Sequence, residues 1–272
     1  MSKIPKERVD ILLVEQGLFE TREKAKRAIM AGLIYKNEER IDKPGEKIEV
    51  SSVLTVKGQV LKYVSRGGLK LEKAIEQFDL EIKDKIMLDI GSSTGGFTDC
   101  GLQNGVTHAY ALDVGSNQLA WKIRQDPRVT VMEKTNFRYS TPADFQEGLP
   151  SFASIDVSFI SLKLIFPTLK TIIVPNGDVI ALVKPQFEAG KERVGKKGVV
   201  RDKAVHIDVL NDIANFAESQ GFQLKNVSYS PITGGEGNIE FLFHLVSVNP
   251  EEVLPHTFDF EKLVNEAHSL LK

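Results

Sequence analysis

The chain has 272 residues, 42% hydrophobic and 26% charged, with a formal net charge of −2. That is an ordinary globular composition, long enough for one large domain or a small one plus a medium one. No apolar run reaches the roughly 20 residues needed to span a bilayer, the start Met-Ser-Lys-Ile-Pro-Lys-Glu-Arg lacks the apolar core of a secretory signal, and the single Cys100 cannot close an internal disulfide. A cytoplasmic protein with no membrane role is therefore expected.

The charge is uneven. Residues 1–62 carry 13 Lys+Arg against 10 Asp+Glu (+3), which leaves 22 against 27 (−5) for 63–272. A mildly basic N-terminal part points to an anionic partner, although charge on a helix is commonly just a solvated face.

Within 1–62, Val9, Leu12 and Leu13 recur at helical spacing, and Gly17 can end that helix. Thr21 is a candidate N-cap for a second helix carrying Ala25, Ala28 and Ile29 and stopping at Gly32. Leu33-Ile34-Tyr35, Ile48-Glu49-Val50 and Leu54-Thr55-Val56 read as short strands, with turn chemistry at Lys43-Pro44-Gly45. Such a unit buries little core and should be a compact appendage. Its second helix carries Arg22, Lys24, Lys26 and Arg27, offset only by Glu23; Arg22 and Lys26 share a face.

Lys62-Tyr63-Val64-Ser65-Arg66-Gly67-Gly68 looks like a boundary, giving a first domain at 1–62, a linker at 63–68 and a second domain at 69–272. Leu69 to Phe78 is an amphipathic helix. From residue 85, apolar runs at 86–90, 109–113, 130–132, 154–157, 179–183, 224–229 and 240–245 read as strands. Helical segments such as 205–219 separate most of them, which predicts an α/β fold with a mostly parallel sheet of about seven strands. The last two runs have no helix between them, so the last strand should be antiparallel. Residues 258–271 could form a closing helix.

Three features carry the chemistry. The run Asp89-Ile90-Gly91-Ser92-Ser93-Thr94-Gly95-Gly96-Phe97 ends an apolar strand and opens a helix, and its glycines let backbone approach a ligand at the strand's carboxyl end. Its spacing matches neither the dinucleotide nor the triphosphate fingerprint. Asp113 ends the next strand, where a carboxylate can accept both hydroxyls of a ribose. A loop for an amino-acid end and an acid for a ribose describe S-adenosylmethionine. Asp156 and Lys184 close two further strands, and in a parallel sheet they should converge on this loop. A lysine closing a buried strand is costly unless it is paired or functional. Lys70 and Glu240 flank the sheet in sequence. The run 188–203 carries Lys191, Arg193, Lys196 and Lys197 among glycines, and reads as a flexible arm for RNA. The five histidines show no ligand spacing with Cys100, so no metal is expected.

The frame Arg8-Val9-Asp10-x-x-Leu13, Gly17-Leu18, Thr21-Arg22-x-x-Ala25, Ile29-x-x-Gly32 and Lys43-Pro44-Gly45 resembles the S4-type RNA-binding domain. In that family the basic second helix lies on structured RNA. This resemblance makes Arg8, Arg22, Lys24, Lys26 and Arg27 candidate RNA contacts. One departure is Asn37-Glu38-Glu39-Arg40, where many members have an Asn-Gly turn. Lys70, Asp156, Lys184 and Glu240 resemble, in this order, the Lys-Asp-Lys-Glu tetrad of FtsJ-like RNA ribose 2′-O-methyltransferases, and Leu69-Lys70-Leu71 matches the family frame better than Lys73 does.

Domain order, loop and tetrad together resemble the TlyA family, which methylates cytidine 2′-hydroxyls of ribosomal RNA and whose members are often labelled haemolysins. The resemblance implies a Rossmann-like methyltransferase sheet behind a small α+β RNA-binding domain, S-adenosylmethionine as cofactor, and ribosomal RNA as partner. It places Lys184 nearest the hydroxyl and Lys70 beside it, lowering its pKa and orienting the ribose. Asp156 and Glu240 hold the lysines, and Asp156 also sits near the sulfonium. Two other readings are an RNA-binding protein with an inactive methyltransferase fold and a membrane-acting haemolysin.

Overall fold

The computed structural model describes residues 5–30, 32–58 and 61–271. Residue contacts divide the chain into two units, Met1–Lys62 and Tyr63–Lys272.

The first unit contains β1 (Lys6–Arg8), α1 (Val9–Glu15), α2 (Arg22–Met30), β2 (Ile34–Lys36), β3 (Glu39–Arg40), β4 (Lys47–Glu49) and β5 (Leu54–Val56). Val9, Leu12 and Leu13 of α1 close on Ala25, Ala28 and Ile29 of α2, with Ile34, Ile48 and Leu54 from the strands beneath. Gly17 ends α1 at φ +71°, and the Thr21 hydroxyl accepts the Lys24 N–H at 3.3 Å as the N-cap of α2. β1, not foreseen from its charged sequence, pairs antiparallel with β4. The Asn37-Glu38 pair, where the family often has Asn-Gly, joins β2 to β3 with both residues left-handed (φ +46° and +71°). The chain thus forces a turn geometry that glycine adopts at lower cost.

The second unit contains α3 (Gly68–Gln77), β6 (Ile86–Ile90), α4 (Gly96–Gln103), β7 (His108–Leu112), α5 (Trp121–Arg124), β8 (Val129–Met132), β9 (Phe152–Ile155), α6 (Phe166–Ile172), β10 (Asp178–Val183), α7 (Pro185–Glu188), α8 (Lys203–Ser219), β11 (Phe222–Tyr229), β12 (Phe241–Ser247) and α9 (Phe260–Leu270). Its seven strands order as β11-β12-β10-β9-β6-β7-β8. β10, β9, β6, β7 and β8 pair in parallel, while β12 runs antiparallel between β10 and β11. The strands alternate with period two. Leu88, Ile90, Ala181 and Val183 face α6, α8 and α9, whereas Met87, Ala109, Ile180 and Leu182 face α3, α4 and α5.

The segment expected as a linker belongs to this second unit instead. Tyr63 is buried in its core, and the Val64 N–H donates to Asp99 Oδ2 of α4 at 2.9 Å. An aromatic ring and a hydrogen-bonded backbone anchor this segment.

Candidate active site

Topology gathers the site. Ile90, Leu112, Ile155 and Val183 end parallel strands on one edge of the sheet. β12 runs the other way, so its first residue Phe241 pairs with Val183, the last of β10. Glu240, just before one strand, thus lies beside Lys184, just after the other. α3 supplies Lys70 from the opposite side.

The four side chains form one chain of contacts. Lys70 Nζ is 2.6 Å from Glu240 Oε2 and 3.6 Å from Asp156 Oδ2. Lys184 Nζ is 2.5 Å from Asp156 Oδ1 and donates to Ser158 Oγ at 3.2 Å. Lys70, Lys184 and Glu240 are buried. Burial works to lower the Lys70 pKa, but Asp156 and Glu240 together outweigh it and raise it above the ordinary lysine value. Asp156 lies between Lys70 and Lys184, since two cations this deep need a shared carboxylate. Lys73, one turn beyond Lys70, points elsewhere: its Nζ donates to the Tyr229 carbonyl at 2.8 Å and lies 3.6 Å from the centre of the Tyr229 ring.

All four residues line a cavity of about 580 Å³, together with Gly91, Ser92, Ser93, Gly96 and Phe97 of the glycine-rich loop. A second cavity of about 360 Å³ adjoins it through Gly91, Ser93, Asp156, Ser158 and Phe159. The second cavity has apolar walls from Leu112, Val114, Phe137, Ile160 and Ile165, with Asp113 and Asn136 as polar groups. Gly91 shows why the loop must be glycine: its φ is +88°, and a Cβ there would lie 2.6 Å from the Asp156 carbonyl oxygen. Asp113 accepts the Ser93 N–H at 2.8 Å and the Gly115 N–H at 2.7 Å, one on each oxygen. A carboxylate oxygen keeps a further lone pair for a hydroxyl donor. An apolar slot for a base, an acid for a ribose and an open loop for an amino-acid end fit S-adenosylmethionine.

Some sequence candidates lie outside these cavities. Asp89 is fully buried beneath the loop, where its oxygens accept from Thr98 Oγ1 (2.6 Å) and Ser154 Oγ (2.9 Å). Burial pushes its carboxyl up to about 6, against the stabilising hydroxyls. Asp89 therefore supports the loop and does not face the cavity. Thr94 and Gly95 also sit behind the lining; Gly95 is left-handed at the N-cap of α4 and packs close to Leu119. Of the basic arm, only Lys197 reaches the cavity wall, while Arg193 is paired with Asp208 at 2.5 Å. Lys191 and Lys196 lie outside the lining.

Arg8, Arg22, Lys24, Lys26 and Arg27 all lie in the first unit. Arg8 and Arg22 both bind the buried Asp10, at 2.9 and 2.8 Å. Asp10 is held down to about 2, first by the Arg8 hydrogen bond, against the cost of burial. Lys24 pairs with Glu20 and Lys26 with Glu23, so this basic face is partly neutralised within its own unit.

Sequence reasoning missed Ser158, Phe159, Asn136, Phe137 and Asn238. Phe159 is 90% exposed at φ +64°, with its ring 5.0 Å from that of Phe187. A bulky residue in that conformation leaves no signature in sequence. Asn238 had one available signal, the dense glycines at 234, 235 and 237 just before Glu240.

The FtsJ-like methyltransferase model matches residues 63–247, and the S4 domain model matches residues 7–54. The chain belongs to the FtsJ-like methyltransferase family and, within it, to the proteins that carry an N-terminal S4 domain. It is 64% identical over 270 residues to the Bacillus subtilis protein named "Putative rRNA methyltransferase YqxC", covering 98% of this chain and 96% of that one. It is 40% identical to the Mycobacterium tuberculosis 16S/23S rRNA (cytidine-2′-O)-methyltransferase TlyA, covering 88% and 89%. Among solved structures, a hemolysin-named protein from Streptococcus thermophilus is 56% identical, covers 98% of each chain and superposes with a TM-score of 0.75.

Proposed function

We propose that this protein transfers a methyl group from S-adenosylmethionine to the 2′-hydroxyl of a cytidine ribose in ribosomal RNA. The observation that carries this reading is the unbroken chain Glu240–Lys70–Asp156–Lys184, at the junction of an acid-ended slot with apolar walls and a wider cavity. When bound, S-adenosylmethionine supplies an electrophilic methyl. Asp113 would hold its ribose, Phe137 and Ile165 its base, and Gly91 to Ser93 its amino-acid end.

A 2′-hydroxyl is a weak nucleophile, and the side chains present answer that need. Lys184, as the neutral amine, contacts the hydroxyl oxygen and accepts its proton, and Asp156 and Ser158 hold the ammonium that forms. Lys70, kept charged by its two carboxylates, orients the ribose. Methyl transfer is an in-line displacement, so most of the gain comes from positioning. The S4 domain, with Arg8, Arg22, Lys24, Lys26 and Arg27, holds structured RNA through phosphate contacts. Lys197 contacts it beside the tetrad, and the outlying Lys191, Arg193 and Lys196 add long-range attraction. A ribosomal substrate places the reaction in the cytoplasm. No observation favours membrane action, although a Brachyspira hyodysenteriae relative carries the name Hemolysin A. Among the described residues, no helix is long and apolar enough to cross a membrane.

The test is to map ribose methylation on ribosomal RNA in cells carrying Lys184→Ala. Loss of a cytidine 2′-O-methyl is expected. Unchanged methylation would remove this assignment.

A further inference from the structure

The run that follows Lys184 is basic but not free. Its tip is a tight turn in which Lys197 and Gly198 are left-handed (φ +69° and +73°). The Gly195 N–H donates to the Val199 carbonyl at 3.0 Å, and the Gly198 N–H to the Gly195 carbonyl at 3.1 Å. Lys197 and Gly198 form part of the wall of the catalytic cavity, while Val199 and Val200 are buried behind them. Among the described residues no strand or long helix holds this turn, and side chains do instead.

Asn238 is 4% exposed and stands two residues before Glu240. Its Nδ2 donates to the Gly198 carbonyl at 2.9 Å and to the Gly235 carbonyl at 3.0 Å, and its Oδ1 accepts the Val200 N–H at 3.1 Å. A single carboxamide therefore ties two loops, 195–200 and 233–237, which form adjoining walls of the cavity. The Val200 carbonyl is gripped from the other side by His206 Nε2–H of α8 at 3.2 Å. Only an amide suits the position. A carboxylate would face two carbonyl oxygens, and an apolar isostere would strand three backbone groups, each at a cost of about 1–3 kcal/mol where buried.

We propose that Asn238 is a positioning residue for methyl transfer: its carboxamide fixes the Lys197–Gly198 turn against the acceptor side of the cavity, next to Glu240. Asn238 touches neither the tetrad nor the glycine-rich loop through its side chain, so it sets where the RNA backbone rests, and cofactor binding does not depend on it. The role rests on the methyltransferase reading given above.

The test uses the full-length protein as wild type, Asn238→Ala, Asn238→Asp, Lys197→Ala and the Asn238→Ala/Lys197→Ala pair. S-adenosylmethionine affinity is read by calorimetry, kcat and KM by tritiated methyl transfer to ribosomal subunits, and opening of the turn by trypsin cleavage after Lys196 and Lys197. Asn238→Ala should leave cofactor affinity within about twofold and raise KM for the subunits about 10- to 100-fold, with a smaller change in kcat. It should also speed cleavage at the turn by about tenfold or more, since proteolysis follows the open population. Asn238→Asp, which keeps the size and the acceptor to Val200, should behave like Asn238→Ala. Lys197→Ala should raise KM by itself and add little in the pair, because the turn is already displaced. Unchanged KM, unchanged cleavage or full additivity in the pair would each overturn the proposal. If Asn238→Ala fails to fold, Asn238→Asp and Lys197→Ala still decide it. If the wild type transfers no methyl to ribosomal RNA, the functional reading fails, and the protease and calorimetry arms decide the clamp alone.

Discussion

Removing Glu240 tests the centre of the site most directly. The Lys70 side chain is 10% exposed and that of Glu240 only 3%, with 2.6 Å between the charged atoms. Among the described residues, Asp156 is then the carboxylate left paired with Lys70, at 3.6 Å, and it already holds Lys184 at 2.5 Å. Glu240→Ala thus leaves two buried ammoniums competing for one acid. Breaking a buried pair from one side typically costs about 3–5 kcal/mol. For a unit of this size that is a fall in melting temperature of roughly 10 °C. Burial then dominates at Lys70, so its pKa should drop from its present raised position. As Asp156 shifts towards Lys70 it releases Lys184, and kcat should fall about 100-fold or more, the equivalent of about 3 kcal/mol. Glu240→Gln keeps an oxygen that accepts from Lys70 but loses the charge, so it should melt nearer the wild type while remaining slow. The assays are tritiated methyl transfer at saturating cofactor, calorimetry for the cofactor and a thermal melt. A Glu240→Ala protein that melts like the wild type, or keeps kcat within about twofold, would refute the linked-tetrad reasoning.

Other expectations follow from single positions. Gly91→Ala adds a Cβ 2.6 Å from the Asp156 carbonyl at a φ of +88°; S-adenosylmethionine affinity should fall by about tenfold or more, read by calorimetry. Glu38→Gly relieves a left-handed residue in the β2–β3 turn and loses only the solvated Glu38–Lys57 pair. It should stabilise the first unit by about 0.5 kcal/mol, visible as slower hydrogen exchange of the Tyr35 amide. His206 is buried, its Nε2–H donates to Val200, and His268 Nε2–H donates to its Nδ1 at 3.0 Å. Burial first, then His268, lowers its pKa to about 4. The native state thus favours neutral His206, whose stabilisation is complete above the unfolded pKa of about 6.5 and is lost as pH falls from there towards 4. The melting temperature should decline over that window, and less steeply in His206→Asn; an equal slope in both would count against the assignment.

Much of this protein was legible before any coordinates. Sequence periodicity located the seven strands of the large unit to within a few residues, because alternation and apolar runs report burial directly. Strand-ending charged residues and a glycine pointed to Asp113, Asp156, Lys184 and Gly91, since the carboxyl edge of a parallel sheet is fixed by topology. Sequence could not show that Asp89 turns into the core, because an acid before a glycine reads the same whether it meets ligand or the hydroxyls of Thr98 and Ser154. Nor could it place β1, whose Lys6–Arg8 has no apolar signal and becomes a strand only by pairing with β4. The contact between Glu240 and Lys70 spans 170 positions and exists because β12 inserts antiparallel beside β10. Asn238 and Phe159 were hard to read for different reasons: one hydrogen-bonds to residues about 40 positions away, the other adopts a backbone conformation its residue type seldom takes. Local pattern thus determined the elements and the sheet edge where the candidate residues gather. Only long-range packing, which sets which side chains meet and in what charge state, decided the geometry of the four charged side chains and the lining of the cavity beside them.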